Sequence, residues 1–244
     1  VQHFILQCVL AFFSEDFGLL PQGFFTQIIK ECKDGKADAY DLIGDLFKQM
    51  ASPQEARGGR YKDRKYFNGA LFKHVEPIEL DQYSLDILYE VALKDWKQVH
   101  PAIFGALFEG TMDSKERHKF GAHFTNETDM LRVITPTIIK PWKTKIERAN
   151  TLDALKDLLK DISNYKVLDP ACGCGNFLFV AYRELKELEC QIFDKMNELS
   201  KATKRQRDKL HLGVSHIKTN QFYGLDIQPM AVEVAKMTMM IAKE

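Results

Sequence analysis

Residues 167 to 180 read Val-Leu-Asp-Pro-Ala-Cys-Gly-Cys-Gly-Asn-Phe-Leu-Phe-Val. A short apolar strand over 165–168 runs into a carboxylate, Asp169, and then into a loop with two glycines one residue apart. A helix opens at Asn176 or Phe177. That order builds a nucleotide-sized pocket at the carboxyl end of a parallel strand. Gly173 and Gly175 carry no β-carbon to hold a ligand off the backbone, and both tolerate positive φ. The start of the following helix leaves amide donors facing the same space. A dinucleotide fingerprint would place G-x-G-x-x-G directly after the strand. Here Asp169 and Pro170 come before the glycines, and no third glycine follows. A carboxylate at the pocket mouth suits a ligand with an ammonium group better than a pyrophosphate.

A second strand, Phe222-Tyr-Gly-Leu-Asp226-Ile227, also ends in an acid, and a helix opens at Pro229. Strand, glycine loop, helix, strand, helix is one right-handed β-α-β unit of a parallel sheet. A carboxylate at the tip of the second strand accepts two vicinal ribose hydroxyls, and Asp226 has that position. It lies 57 residues after Asp169, against about 20 in a compact unit. An elongated helix and a hydrophilic insertion over 198–216, with Lys201, Lys204, Arg205, Arg207 and Lys209, account for the excess. Upstream, Gly121-Ala122-His123-Phe124-Thr125 leads into a helix capped by Thr125 or Asn126, with Glu127 and Asp129 in its first turn. The dipole and amides of that helix start favour an anion. Thr125 either caps the helix, serves a ligand, or does both. The helix carries Met130, Val133, Ile134 and Ile138, and Pro136 is expected to bend or end it.

These motifs resemble those of the amino-group DNA methyltransferases of the adenine-N6 kind. D-P-A-C-G-x-G-N-F-L looks like their motif I, G-L-D-I-x-P-x-A over 224–231 like motif II, and Gly121 to Thr125 like motif X. The resemblance implies S-adenosyl-L-methionine as cofactor. It assigns Asp169 to the methionyl ammonium, Thr125 and the neighbouring amides of Gly121, Ala122, His123 and Phe124 to the carboxylate, and Asp226 with Ile227 to the ribose. Pro170, Ala171, Cys172, Gly173 and Gly175 would shape the loop and leave space, with Asn176 and Phe177 on the far wall. His123 has no chemistry of its own in this reading. Cys174 stands where serine or glycine is more usual. The likeness continues through Phe12 to Pro21, Tyr66 to Phe72 and Asp95 to Glu109, which look like the helical connector of large type IIG or IIL restriction-modification enzymes. That family methylates with [NDS]-P-P-[YFW], on a base flipped from the duplex. No such string occurs between residues 1 and 244, so the catalytic residues are expected outside this stretch. The missing initiator methionine likewise suggests a piece of something larger.

The first hundred residues read as helices. Phe4, Cys8, Val9, Phe12 and Phe13 share one face, as do Phe24, Phe25, Ile28, Ile29 and Cys32, and Tyr40, Ile43, Phe47 and Met50 repeat the pattern. Further helices are expected over 81–94, with Leu85, Leu88, Val91 and Ala92 inward, and over 102–109. Arg57 to Phe72 forms a glycine-punctuated basic loop, able to touch phosphates or to serve as a solvated connector. Leu152, Leu155, Leu158, Leu159 and Ile162 mark the helix leading into the glycine-loop strand.

Lysine plus arginine number 34, as do aspartate plus glutamate, and apolar residues make up 45%. Net charge therefore gives no argument for DNA binding, while the apolar content suits a full core. The five cysteines (Cys8, Cys32, Cys172, Cys174, Cys190) are odd in number and read as reduced thiols, and no second pair has zinc spacing. Glu-x-Lys at 31–33 and 184–186 falls in helical stretches, with no nuclease strand before it.

The expected architecture is an all-α helical connector domain over 1–117, then over 118–244 an incomplete Rossmann-like, S-adenosylmethionine-dependent α/β sheet that stops before motif IV. The expected function is that of a fragment of a site-specific DNA adenine-N6 methyltransferase from a restriction-modification or phage-defence system. Its partner would be double-stranded DNA, its compartment the cytoplasm, and it would have no membrane segment. A sheet cut after two strands would favour self-association. Two alternatives are a docking module for DNA or a subunit, with a vestigial pocket, and a methyltransferase acting on RNA or protein.

Overall fold

The computed structural model describes residues 1–52, 58–62, 70–99, 103–111, 125–200 and 215–243. The chain divides into two compact units, Val1–His118 and Lys119–Lys243.

The described part of the first unit is helical: α1 (Gln2–Asp16), α2 (Phe24–Lys33), α3 (Ala39–Ala51), α4 (Ala70–Lys73), α5 (Gln82–Ala92) and α6 (Ile103–Thr111). The periodic apolar residues of α1 to α3 are buried, except that Phe24 is half-buried and Tyr40 lies outward. Tyr40 is 45% exposed, whereas Ile43, Phe47 and Met50 are fully covered. Helix α1 is buried on nearly every face, Gln7, Ser14 and Glu15 included. Aromatic rings fill the space around it: Phe12 stacks on Trp96 at 5.1 Å, and Phe13 meets the same indole edge-on at 5.2 Å.

Helix α2 begins at Gly23, which has no side chain to cap it. Glu15 supplies the cap from a distance. Its carboxylate accepts from the Phe25 and Thr26 amides at 2.9 and 3.0 Å, and from the Thr26 hydroxyl at 3.0 Å. Burial pushes this carboxyl above its ordinary range, while the Thr26 and Phe25 hydrogen bonds pull against that. Glu15→Ala is therefore expected to cost about 2 kcal/mol, as loss of a cap with its buried amides left unpaired. Urea unfolding checks this, and a variant as stable as wild type would show that Glu15 is not what holds α2.

In the second unit α7 (Glu127–Ile134) continues through a π-helical turn (Thr135–Ile139) into α8 (Lys140–Arg148). Pro136 does not end the helix. It lacks an amide proton, and the wider turn absorbs the missing hydrogen bond. Met130, Ile134, Ile138, Trp142 and Ile146 are buried along this rod, but Val133 is 52% exposed. Helix α9 (Leu152–Asn164) starts at Thr151, whose hydroxyl accepts from the Ala154 amide at 3.2 Å. Then come β1 (Val167–Asp169), α10 (Asn176–Leu199), β2 (Phe222–Gly224) and α11 (Pro229–Lys243). Both strands are shorter and begin or end differently than the apolar runs suggest.

Strands β1 and β2 pair in parallel, Val167 with Phe222, Leu168 with Tyr223 and Asp169 with Gly224. Val167 and Phe222 pack on the core cluster, and the Phe222 ring meets Tyr182 of α10 at 5.4 Å. The opposite face carries Leu168 and Tyr223, 60% and 47% exposed. Two polar contacts set the direction of the α7–α8 rod against α10. Arg183, in the first third of α10, reaches Glu127 at 2.6 Å, and Lys195, near its far end, donates to the carbonyls of Ile146 and Glu147 at 2.8 and 2.9 Å. The rod and α10 therefore run side by side in the same direction, and their N-termini lie at one end. No described helix is long and apolar enough to cross a membrane.

Candidate functional site

The loop between β1 and α10 is stitched to the end of β2 by backbone bonds. The Leu225 amide donates to the Asp169 carbonyl at 2.9 Å, and the Cys172 amide to the Leu225 carbonyl at 2.8 Å. The ladder thus continues past both strands and fixes the loop over the sheet tip. Within it the Gly175 amide donates to the Cys172 carbonyl at 2.8 Å, closing a tight turn before α10.

The two strand-tip acids meet at this loop. Asp169 Oδ1 accepts from the Ala171 amide at 3.0 Å. Asp226 accepts from the Gly173 amide through Oδ2 and from the Gln228 amide through Oδ1, both at 2.9 Å. Each Asp226 oxygen thus holds one backbone donor and keeps a second lone-pair direction for another. Burial, then the Asp169 and Asp226 carboxylates, push the Cys172 thiol up to about 11. It stays protonated, as a small packed side chain rather than a nucleophile. Among the described residues no group of three or more His, Cys, Asp or Glu side chains is arranged to hold a metal.

The two loop glycines do different things. Gly173, at φ +50°, would have nothing within 4 Å of an added β-carbon. Gly175, at φ +84°, would meet the Ala235 Cα and Cβ at 3.0 Å. Open space for a ligand lies at Gly173, whereas Gly175 lets α11 approach the loop. Sequence reasoning missed a third glycine: a β-carbon on Gly224 would lie 2.7 Å from Cys172 Sγ. Asn176 Oδ1, at the start of α10, is buried without a hydrogen-bond partner.

Asp169, Pro170, Ala171 and Phe177 line a cavity of about 290 Å³ with Val133 and Thr137 among others. Asp226 and Ile227 lie outside it, and Ile227 is 78% exposed. A larger hollow of about 880 Å³ lies against β2 and α11, lined mainly by apolar side chains such as Leu168, Tyr223, Val232 and Met239, with no carboxylate among the described residues. Gly121, Ala122, His123 and Phe124 lie outside the described residues. Thr125 is half-buried and is not the cap of α7. That role belongs to Asn126, whose Oδ1 accepts from the Asp129 amide at 3.0 Å. Thr125 sits two residues before Glu127, at the end of the rod that lies toward the glycine loop.

Comparison with known proteins gives the class of protein and its family. Residues 144–244 match the MmeI DNA-methyltransferase domain, and residues 1–72 match the MmeI helicase spacer domain. The chain belongs with the MmeI-type, type IIL restriction-modification methyltransferases. DNA methyltransferase A of Bacillus subtilis (strain 168) is 30% identical over 98% of the chain, which spans 27% of that protein. A relative from Methanocaldococcus jannaschii, named for a type II restriction enzyme and methyltransferase, is 26% identical over 94% of the chain and 24% of its own length. The structure of the type IIL enzyme MmeI in complex with DNA superposes with a TM-score of 0.76 at 26% identity, covering 99% of this chain and 32% of that one. The chain therefore spans about a quarter to a third of the length of these relatives.

Proposed function

We propose that residues 118–244 form the opening part of a Rossmann-like, S-adenosylmethionine-dependent methyltransferase domain, and residues 1–117 a helical connector ahead of it. The whole protein would methylate the exocyclic N6 of adenine in double-stranded DNA, within a cytoplasmic restriction-modification system. The observation that carries this reading is the meeting of Asp226 with the Gly173 amide, since it puts the second acid at the glycine loop rather than elsewhere on the sheet.

The residues fit the cofactor. Open space at Gly173, a buried unpartnered Asn176 oxygen and spare acceptor capacity on Asp226 are what a nucleoside with hydroxyl and amino donors would use. Asp226 would take the ribose hydroxyls, Asp169 the methionyl ammonium, and Thr125 with the preceding amides the carboxylate. When bound, the cofactor supplies a methyl group on a cationic sulfur. The chain's contribution is to hold that group in place and keep it aimed, and positioning of this sort carries a large share of such a rate enhancement. The type IIL neighbour was solved with DNA, which favours DNA over RNA or protein as the substrate.

Isothermal titration of the full-length protein with S-adenosylmethionine is the direct test. Saturable binding is expected, displaced by S-adenosylhomocysteine, and methyl transfer is expected to leave N6-methyladenine in duplex DNA. Absence of binding would overturn the cofactor reading. Transfer to RNA or protein instead would overturn the substrate.

A further inference from the structure

The start of α7 and the flank of α10 are joined by a side-chain strut that lies outside motifs X, I and II. Arg183 Nη2 donates to Glu127 Oε1 at 2.6 Å and to Glu184 Oε1 at 2.9 Å. Glu184 is on α10 itself, so it steadies the guanidinium from behind while Glu127 is gripped in front. Glu127 is the first residue of α7, immediately after the Asn126 cap and two residues after Thr125. Arg132 serves Asp129 within α7 at 2.8 Å, whereas Arg183 crosses between elements. At the far end Lys195 ties the same pair of helices through the Ile146 and Glu147 carbonyls. Holding Glu127 therefore sets where the backbone just before α7 lies along α10, and so how near Thr125 comes to the glycine loop.

We propose that Arg183 is a positioning residue for the cofactor's carboxylate, acting through Glu127 on Thr125. This rests on the assignment of the loop to S-adenosylmethionine. A guanidinium suits the task because it can serve two carboxylates from one rigid plane, which a lysine ammonium does less well.

The test uses the full-length protein and three ligands. Arg183→Ala is expected to weaken S-adenosylmethionine and S-adenosylhomocysteine about fivefold each, the scale of one partly exposed ion pair. Affinity for 5′-methylthioadenosine, which keeps the nucleoside and thioether but lacks the carboxylate and ammonium, should stay unchanged when measured by displacement. Arg183→Lys should recover part of the loss. Glu127→Gln should reproduce the selective effect, and the double variant should be no worse than either single one, because the two side chains act as one contact. A merely structural strut would lower all three affinities together. That outcome, or no loss for any ligand in either variant, overturns the inference. Wild-type protein that binds none of the three would overturn the cofactor assignment on which it stands.

Discussion

Asp226→Ala is expected to raise the Kd for S-adenosylmethionine about a hundredfold, since two hydrogen bonds to a charged acceptor are lost at roughly 1.5 kcal/mol each. Calorimetry on the full-length protein reads this directly. The variant has a second consequence. Asp226 also holds the Gly173 and Gln228 amides at 2.9 Å, so its removal loosens the loop as well as the ribose contact. Asp226→Asn keeps one acceptor oxygen and should lose nearer tenfold, the worth of one such bond. An alanine variant that is folded by near-ultraviolet circular dichroism and binds as tightly as wild type would show that the ribose is held elsewhere.

Gly175→Ala should destabilise the protein by about 3 kcal/mol, whereas Gly173→Ala should cost only about 1 kcal/mol. Both substitutions force a side chain into the left-handed region, worth about 1–2 kcal/mol. Only Gly175 adds a collision, with the Ala235 Cα and Cβ at 3.0 Å, and overpacking against backbone typically adds about 1–3 kcal/mol. For cofactor binding the order reverses. Gly173 fronts open space, so its added methyl group should displace the ligand at little cost in stability. Thermal unfolding and calorimetry on the same two variants test this together. Equal losses of stability, or unimpaired binding by Gly173→Ala, would contradict the division of labour between them.

The β1–loop–α10 unit and the acid two residues past β2 were legible in the residues, because a strand running into Asp169, two glycines and a helix start is local chemistry. The helical character of the first unit was equally plain from its apolar spacing. Less legible were contacts across long separations. That Glu15 caps α2, that Gly175 and Gly224 are needed by α11 and Cys172, and that Asp226 latches Gly173 all depend on which elements meet in space. Periodicity also overreached where a residue lies at the border of a stripe: Tyr40 and Val133 fit their patterns yet face outward. The choice between Thr125 and Asn126 as cap turned on one residue of register, which propensity does not resolve, since both favour that position. Pro136 was expected to bend or end its helix, and of these the ending does not occur: the chain passes through it by a π-helical turn over Thr135–Ile139.

That proline-bearing turn explains an oddity of spacing. The covered positions of the rod, Met130, Ile134, Ile138, Trp142 and Ile146, recur at intervals of four. In an unbroken α-helix each such interval overshoots a full circle by about 40°. Ile146 would then end roughly 160° around the axis from Met130, turned to solvent. The wider winding over Thr135–Ile139 advances less per residue and unwinds part of that drift. The rod can therefore keep a single seam toward its core over its whole length, and a repeat of four bracketing a proline is the trace this leaves in the chain.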